Sequence, residues 1–280
     1  MPVHIVTQAY GPEEIRVQAL YAAWSALAWR GDLDLAVHVY TDVPADLAPL
    51  EGAVEARGMS AEQIRAWRGP EDFVHRLKAA LVADMTRRFP GDRLLYLDAD
   101  VFFTRPVAEV FERIGPGRGV LHLREYDVAT RDTPQLRKFR RHLSRLTFRG
   151  APIDLGAAMW NAGAMGLDPA QFGLVEDWLA FIDEVYPHYR RGLVEQYSCG
   201  YFLQRAAQVT ACDDVVFHYW FQKDDYVAAI RRHLEVLRAL PLEAAHAHLK
   251  ANPIALPPPA RRRHRTTLWQ RLRRVLERRG

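Results

Sequence analysis

Two aspartates that directly follow an apolar strand are the sharpest chemical feature of this sequence. Leu94-Leu-Tyr-Leu97 is followed by Asp98-Ala-Asp100. Alternate residues of an extended chain point the same way, so both carboxylates can share one cation. Hard oxygen ligands suit Mg²⁺ or Mn²⁺, and such an ion bridges a diphosphate and offsets its charge as a leaving group. The alternative interpretation is a polar turn with two solvated aspartates.

Short apolar segments alternate with helical patterns along most of the chain. The pattern predicts strands at 3–7, 35–40, 93–97, 119–123, 158–167 and 214–220. It predicts helices at 13–30, 61–67, 70–89, 107–114, 170–186, 193–207 and 224–240. This alternation indicates an α/β domain whose sheet is mostly parallel and flanked by helices. Ligands bind at the carboxyl edge of such sheets, which is where the acid pair is expected.

The composition is that of a folded globular chain. The sequence has 280 residues, of which 49% are hydrophobic and 26% charged, so disorder throughout is excluded. No apolar run reaches the roughly 18–20 residues of a spanning helix, and the first residues lack a secretory signal pattern. Two cysteines, Cys199 and Cys212, make a disulfide framework unlikely. These features predict a cytoplasmic protein.

The positive charge is concentrated at the end of the chain. Nine arginines and one glutamate give residues 261–280 a charge of +8, which leaves −4 for the other 260 residues of a chain with net charge +4. Nucleic-acid binding by the whole protein therefore loses most of its support. We expect a domain at 1–252 and, at 253–280, a proline-rich linker with a basic amphipathic helical tail. Such a tail suits an anionic membrane surface, while a packed helix and a disordered arm are the other interpretations.

The segment LLYLDADVFFTRPV, residues 94–107, resembles the D-x-D motif of nucleotide-sugar-dependent glycosyltransferases with the GT-A fold. It most resembles the retaining family-eight type, which includes glycogenin and bacterial lipooligosaccharide galactosyltransferases. The resemblance covers about residues 1–225. It implies transfer of a hexose from a nucleotide diphosphate sugar, with UDP as the expected nucleotide, to a hydroxyl of a glycan or glycolipid. It also implies that Asp98 and Asp100 hold Mn²⁺ or Mg²⁺, and that Asp98 contacts the nucleotide sugar.

Two further segments resemble the part of the family that binds the nucleotide. In Val3-His-Ile-Val-Thr-Gln-Ala-Tyr10, the resemblance makes Thr7, Gln8 and Tyr10 contacts of the base and ribose. The segment His75-Arg-Leu-Lys78 lies on the helix before the acid pair. Arg76 and Lys78 are therefore expected to face the nucleotide and the acidic cluster.

Three more segments follow in the family's order. Asn161-Ala-Gly163 resembles an N-x-G segment, in which the asparagine contacts the sugar and the glycine allows close approach of the donor. Glu195-Gln196 resembles the acidic-Gln pair beside the anomeric carbon. We expect Asn161, Glu195 and Gln196 to be the catalytic group.

The last of these segments is Phe217-His-Tyr-Trp-Phe-Gln-Lys223. The resemblance makes His218 the third metal ligand and Lys223 a contact of the diphosphate. Mn²⁺ accepts mixed carboxylate and imidazole ligands, so the set is chemically consistent. The segment departs from the family where Asp224-Asp225 follows the lysine in place of Pro-Trp.

Other functions stay open on the sequence. The transferase can invert the anomeric centre, with Glu195 or Asp154 as base. An apolar strand ending in D-x-D also opens haloacid-dehalogenase-type phosphatases, although Phe102 stands where those enzymes usually have Thr or Val. A non-catalytic membrane or nucleic-acid adaptor on a degenerate scaffold is the remaining alternative.

Overall fold

A computed structural model describes residues 2–255 of the chain. The strands are β1 (Val3–Ala9), β2 (Leu35–Thr41), β3 (Glu55–Gly58), β4 (Arg93–Leu97), β5 (Val101–Phe103), β6 (Arg118–Asp127), β7 (Thr147–Phe148), β8 (Ala151–Pro152), β9 (Ala158–Leu167), β10 (Gln208–Ala211) and β11 (Val216–His218). The helices are α1 (Glu13–Ala28), α2 (Ala61–Arg68), α3 (Arg76–Arg88), α4 (Ala108–Phe111), α5 (Pro134–Leu143), α6 (Leu174–Val185), α7 (Leu193–Ala206), α8 (Lys223–Arg238) and α9 (Leu242–Ala251).

Seven strands form the central sheet, in the order β10-β6-β9-β4-β1-β2-β3. Neighbours pair in parallel except β9, which is antiparallel to both β4 and β6. Both faces are covered by apolar packing, and successive residues of β4 serve opposite faces. Leu95 and Leu97 join the core with α1, whereas Leu94 and Tyr96 join the core with α3, α6 and α7. The predicted α/β architecture with a mostly parallel, helix-flanked sheet is confirmed.

A small second sheet carries the chain back to the acid pair. Strand β11 pairs antiparallel with β5, so that His218 lies opposite Val101, the residue after Asp100. The backbone N–H of Tyr219 also donates to the carbonyl of Asp100 at 3.2 Å. Asp100 and His218, which are 118 positions apart in the sequence, are thereby held side by side.

The helix predicted at 70–89 begins six residues later than expected. Gly69 and Asp72 have φ values of +71° and +50°, which belong to turns and not to a right-handed helix. Phe73 is buried in this turn and stacks on Tyr186 with ring centroids 3.7 Å apart. Tertiary packing therefore outweighs the favourable N-terminal pattern of Pro70-Glu-Asp, and Lys78 falls in the first turn of α3.

Several shorter elements also differ from the sequence-based expectation. Strand β11 covers only three of the seven residues predicted at 214–220, and β6 extends beyond the predicted 119–123 to Asp127. Helix α9 was not predicted. In the part of the chain that the structure describes, no helix is long and apolar enough to cross a bilayer. The predicted basic tail helix lies outside the described residues, and the domain boundary at 252 stays a prediction.

Two histidines of neighbouring strands, His4 of β1 and His38 of β2, are joined in a series of polar contacts that runs from Arg57 to Asp92. The Nε of Arg57 donates to Nδ1 of His38 at 3.1 Å, and Nε2 of His38 lies 2.9 Å from Nδ1 of His4. The other ring nitrogen of His4 lies 3.1 Å from the carboxylate of Asp92. Burial, with the charges of Arg57 and His4, lowers the pKa of His38 to about 3.

We expect this buried histidine to make folding stability dependent on pH. The unfolded chain binds a proton at its histidines below about pH 6.5, whereas folded His38 stays neutral. The contribution of neutral His38 to the free energy of unfolding is therefore complete above about pH 6.5. It is lost as the pH falls toward 3, at about 1.4 kcal/mol per pH unit. Urea unfolding at pH 7, 6 and 5 measures this slope. His38→Gln should lower the number of protons taken up on unfolding by about one, and so reduce the slope of the free energy of unfolding against pH. His188→Gln, which changes an exposed histidine, should leave the slope unchanged. Equal slopes in the two variants would contradict the role given to His38.

Candidate functional site

Asp98, Asp100 and His218 converge at the carboxyl edge of β4. One ligand atom from each of the three side chains lies within 4.8 Å of the other two. Asp100 and His218 are buried, and Asp98 is half-buried. The backbone N–H of Asp98 is held by the carbonyl of Gly163 at 2.8 Å, which joins the acid pair to strand β9. The three residues predicted as metal ligands are thus brought together by three different strand ends.

Asn161 fixes which nitrogen of His218 carries its proton. The Oδ1 of Asn161 accepts the backbone N–H of Gly163 at 3.0 Å, so this end of the amide is an acceptor. The same oxygen lies 2.9 Å from Nδ1 of His218, which must therefore donate. The neutral ring then keeps its lone pair on Nε2, and this atom lies 3.3 Å from Oδ1 of Asp100.

Two electron-pair donors that face each other this closely need a proton or a cation between them. Two carboxylates and an imidazole form a donor set that Mn²⁺ accepts. The hydrogen bond from Nδ1–H to an oxygen is also the usual support for a histidine that binds metal through its other nitrogen. The residues present therefore fit a divalent cation.

Asp100 is held in its ionised form by two neighbours. Its Oδ2 lies 2.8 Å from Nζ of Lys223, at the start of α8. Burial raises the pKa of Asp100. When a proton lies between Asp100 and His218, that hydrogen bond and its charge, together with those of Lys223, outweigh burial and hold the pKa of Asp100 well below its usual range. Lys223, predicted as a contact of the diphosphate, thus forms an ion pair with Asp100 in the structure.

Lys78 lies at the centre of a second, more deeply buried group. Its Nζ lies 3.1 Å from Asp98 Oδ1 and 3.3 Å from Glu195 Oε1, and it donates to the carbonyl of Ala162 at 3.1 Å. The hydroxyl of Tyr96 donates to the same oxygen of Asp98 at 2.7 Å. The ammonium group of Lys78 thus links the candidate metal-binding acid pair to Glu195, the acid predicted to act beside the sugar.

Burial decides the ionisation of Glu195. It raises the pKa of the Glu195 carboxyl to about 7, against the lowering effect of Lys78 and with a further rise from Asp98. Only 4% of Glu195 is exposed, although the residue borders a cavity. A perturbed acid at the edge of a cavity is a typical feature of functional sites.

Glu125 is a polar residue of the site that sequence analysis missed. Its two carboxylate oxygens accept Nδ2 of Asn161 at 3.3 Å and Nε2 of Gln196 at 3.0 Å. Gln196 also donates from Nε2 to the carbonyl of Trp160 at 3.0 Å, which leaves its amide oxygen as the free end. Glu125 lies near the end of β6, within the second of two irregularities in the pairing of β6 with β9.

The acid pair lies between two cavities. The first, of about 650 Å³, is bordered by Gln8, Tyr10 and Lys223, and we call it the Tyr10 cavity. The second, of about 530 Å³, is bordered by Asn161, Gly163, Glu195 and Gln196, and we call it the Gln196 cavity. Asp98, Asp100 and Lys78 border both. Gln8, Tyr10 and Lys223, predicted for the nucleotide and diphosphate, thus border one cavity, and Asn161, Glu195 and Gln196, predicted for the sugar, border the other.

Three candidate residues are not brought to these cavities. Thr7 is buried in β1, and its hydroxyl has no hydrogen-bond partner among residues 2–255. Arg76 forms a two-pronged ion pair with Asp183 of α6, at 2.6 and 2.8 Å, so its guanidinium is used to join two helices. Asp154 is exposed in the loop before β9, where it accepts the N–H of Gly156 at 2.8 Å. None of the three is a lining residue of the Tyr10 or Gln196 cavity.

Gly163 is required by the close approach of the His218 ring. A Cβ added at Gly163 would lie 2.4 Å from Nδ1 of His218 and 3.0 Å from Oδ1 of Asn161. The sequence predicted that Gly163 allows close approach of the donor. In the structure the space that a side chain at this position would need is occupied by the ring of His218. The absence of a side chain thus positions a candidate metal ligand.

We expect Gly163→Ala to weaken Mn²⁺ binding by about 10- to 100-fold, because the new methyl group displaces the ring of His218. Calorimetric titration with Mn²⁺ measures the change. Gly173→Ala is the matched control, since a Cβ there meets nothing within 4 Å. Equal Mn²⁺ affinity in the two variants would contradict His218 as a ligand.

Comparison with known proteins extends the description of the fold. No protein-family model matches the chain, and no curated protein matches its sequence. Among solved structures, it is similar to mouse xyloside xylosyltransferase 1 in its apo form, with a TM-score of 0.51 and 17% identity. The match covers 82% of this chain and 93% of that chain. The chain therefore has the fold of a solved glycosyltransferase, which confirms the GT-A architecture that the D-x-D segment predicted.

Proposed function

We propose that this chain is a metal-dependent glycosyltransferase that moves a hexose from a nucleotide diphosphate sugar, UDP-linked, to a hydroxyl of a glycan or glycolipid with retention. The retaining family-eight type, which the D-x-D segment resembles, is the kind of transferase we propose. One observation carries the proposal: Asp98, Asp100 and His218 form a metal-type cluster, and its two aspartates border both cavities. A donor with its nucleotide in the Tyr10 cavity and its sugar in the Gln196 cavity would place its diphosphate at this cluster.

The charges on the Tyr10 side suit a diphosphate. Asp98, Asp100 and His218 would hold the divalent ion, which supplies a positive charge to the leaving group when bound. Lys223 already lies at the border of the Tyr10 cavity, 2.8 Å from Asp100, and can contact a phosphate oxygen there. Tyr10 and Gln8 border the same cavity and are the proposed contacts of the base and ribose.

The groups on the Gln196 side suit a sugar at its anomeric carbon. The free amide oxygen of Gln196 can face a carbon that gains positive charge, since its nitrogen is held by Glu125 and Trp160. Glu195 is the residue we propose to act nearest that carbon, with Lys78 setting its charge. The alternative in which Asp154 is the base of an inverting reaction has little support, because Asp154 is exposed outside both cavities.

Calorimetric titration with UDP, with and without Mn²⁺, tests the proposal. We expect binding that requires Mn²⁺ and is lost in Asp98→Asn, because that substitution removes one of the two carboxylate ligands. Turnover of UDP-sugars with analysis of the product anomer then tests the donor and retention. Failure of UDP, GDP and dTDP alike to bind would overturn the proposed function.

The basic segment at 261–280 is the basis for a proposal about where in the cell the protein acts. We propose a cytoplasmic protein that contacts the inner membrane face through this segment, as its charge and amphipathic pattern predicted. Removal of residues 261–280 should abolish binding to liposomes that contain anionic lipid. Binding that survives the truncation would contradict it.

A further inference from the structure

A third cavity, of about 630 Å³, opens beside the Gln196 cavity. It is bordered by Leu123, Phe217 and Phe221, and we call it the Phe221 cavity. The two cavities share several lining residues, namely Glu125, Tyr126, Asn161, His218 and Trp220. A molecule that presents a hydroxyl in the Gln196 cavity can therefore extend into the Phe221 cavity without leaving the protein surface.

The lining of this cavity is unusually apolar for an exposed surface. Leu123, Trp220 and Phe221 are 40%, 59% and 48% exposed. In the described residues they are three of the five large hydrophobic side chains classed as exposed, and the other two, Val74 and Val236, do not border this cavity. Exposed apolar residues that are scattered need no explanation, whereas a cluster beside a candidate active site indicates a binding surface.

The aromatic side chains of the cavity pack on one another. The rings of Trp220 and Phe221 meet edge to face with centroids 6.0 Å apart, and Phe217 contacts Phe221 with centroids 6.4 Å apart. Phe217 is itself anchored in β11, opposite Phe102. The apolar wall is therefore fixed by the same strand pair that positions His218.

The charged residues that border the cavity favour an uncharged occupant. Arg124 is paired with Asp127, and Glu125 is held by Asn161 and Gln196. Asp213 is the remaining charged lining residue, and it is negative. An anionic group would meet no unpaired positive charge among these residues, and the surface open to new contacts is that of the aromatic rings and Leu123.

We propose that the Phe221 cavity binds an apolar aglycone of the acceptor, so that the acceptor is an amphiphilic glycoside with an alkyl or aryl group next to its reacting sugar. This inference rests on the proposed function, and it narrows the acceptor from glycans in general to glycolipid-like molecules. Trp220, which borders both cavities, would lie where the sugar meets its apolar group. The apolar group would cover Leu123 and Phe221, which border only the Phe221 cavity.

Titration of the full chain, with UDP and Mn²⁺ present, compares methyl β-glucoside with octyl β-glucoside below its micelle concentration. Each buried methylene strengthens binding by about fourfold. Burial of two or more methylenes of the octyl chain should therefore strengthen binding by about tenfold or more. The double variant Leu123→Ser/Phe221→Ser should lose this gain and keep the affinity for methyl glucoside. Val236→Ser, which changes an exposed apolar residue of α8 away from the cavity, should retain the gain.

Three outcomes would overturn the inference. The first is equal binding, or no binding, of the two glucosides by the parent chain. The second is an octyl gain that survives the double variant. The third is that maltose binds more tightly than octyl glucoside and that Trp220→Ala weakens the binding of maltose. This result would mean that the Phe221 cavity binds a second sugar ring and not an apolar group. UDP titration of the same samples separates these results from failure of the proposed function, because that failure removes UDP binding from the parent chain itself.

Discussion

Replacing Asp100 by Asn is expected to lower metal-dependent UDP-sugar turnover by at least about a hundredfold. The carboxylate of Asp100 faces Nε2 of His218 at 3.3 Å and Nζ of Lys223 at 2.8 Å. An amide in its place removes the negative charge that Lys223 and a divalent ion require. It can also turn an N–H₂ group toward the lone pair of His218, which would occupy the position of the ion. Steady-state turnover over a range of Mn²⁺ concentrations measures the loss.

Asp154→Asn is the matched control for this prediction. It makes the same chemical change in an exposed loop, where an amide oxygen can still accept the N–H of Gly156. Turnover should therefore stay within about twofold of the parent, in line with a surface substitution. A large loss in Asp154→Asn would revive it as the base of an inverting reaction. Unchanged turnover in Asp100→Asn would remove the metal site.

Local sequence pattern was sufficient where one strand or one motif decides the outcome. The apolar run before Asp98 predicted β4 with its bounds, and the run at 158–167 predicted β9, because a strand buried on both faces reads as a continuous apolar segment. The position of His218 beside the acid pair came from resemblance. In the structure it depends on the antiparallel pairing of β11 with β5, a strand of three residues that the sequence pattern did not predict.

Residues whose orientation depends on distant contacts could not be predicted in the same way. Arg76 and Lys78 are two positions apart on one helix, so they point in different directions, and the choice between them is made by Asp183 more than a hundred residues away. Glu125 was missed for a related reason. Pairing irregularities in β6 change which side chains face the site after Leu121, and no local pattern marks them.

Lys78→Met is expected to cost the folded protein about 3–5 kcal/mol, because it removes the partner of two buried or half-buried carboxylates. The ammonium group lies 3.1 Å from Asp98 and 3.3 Å from Glu195, and Lys78 is 4% exposed. Methionine fills similar space and brings no charge. Urea unfolding of both proteins at pH 7 measures the difference in free energy of unfolding.

The matched control lies on the same helix. Arg87 forms an exposed ion pair with Glu176 at 3.3 Å, so Arg87→Met should cost no more than about 1 kcal/mol. If Lys78→Met costs no more than this control, Lys78 does not compensate the buried acids. Adding Glu195→Gln to Lys78→Met should recover part of the loss, since it removes one of the uncompensated charges.

The sign of the pH dependence gives an independent check on this group of residues. The pKa of Glu195 is already raised to about 7 by burial, and loss of Lys78 removes the charge that opposes the rise. A carboxyl whose folded pKa lies above its unfolded value binds more protons in the folded state, so stability falls as the pH rises between the two values. The loss in free energy of unfolding caused by Lys78→Met, relative to the parent protein, should therefore be larger at pH 8 than at pH 6. Lys78→Met/Glu195→Gln should not show this increase, because the glutamine has no proton to lose.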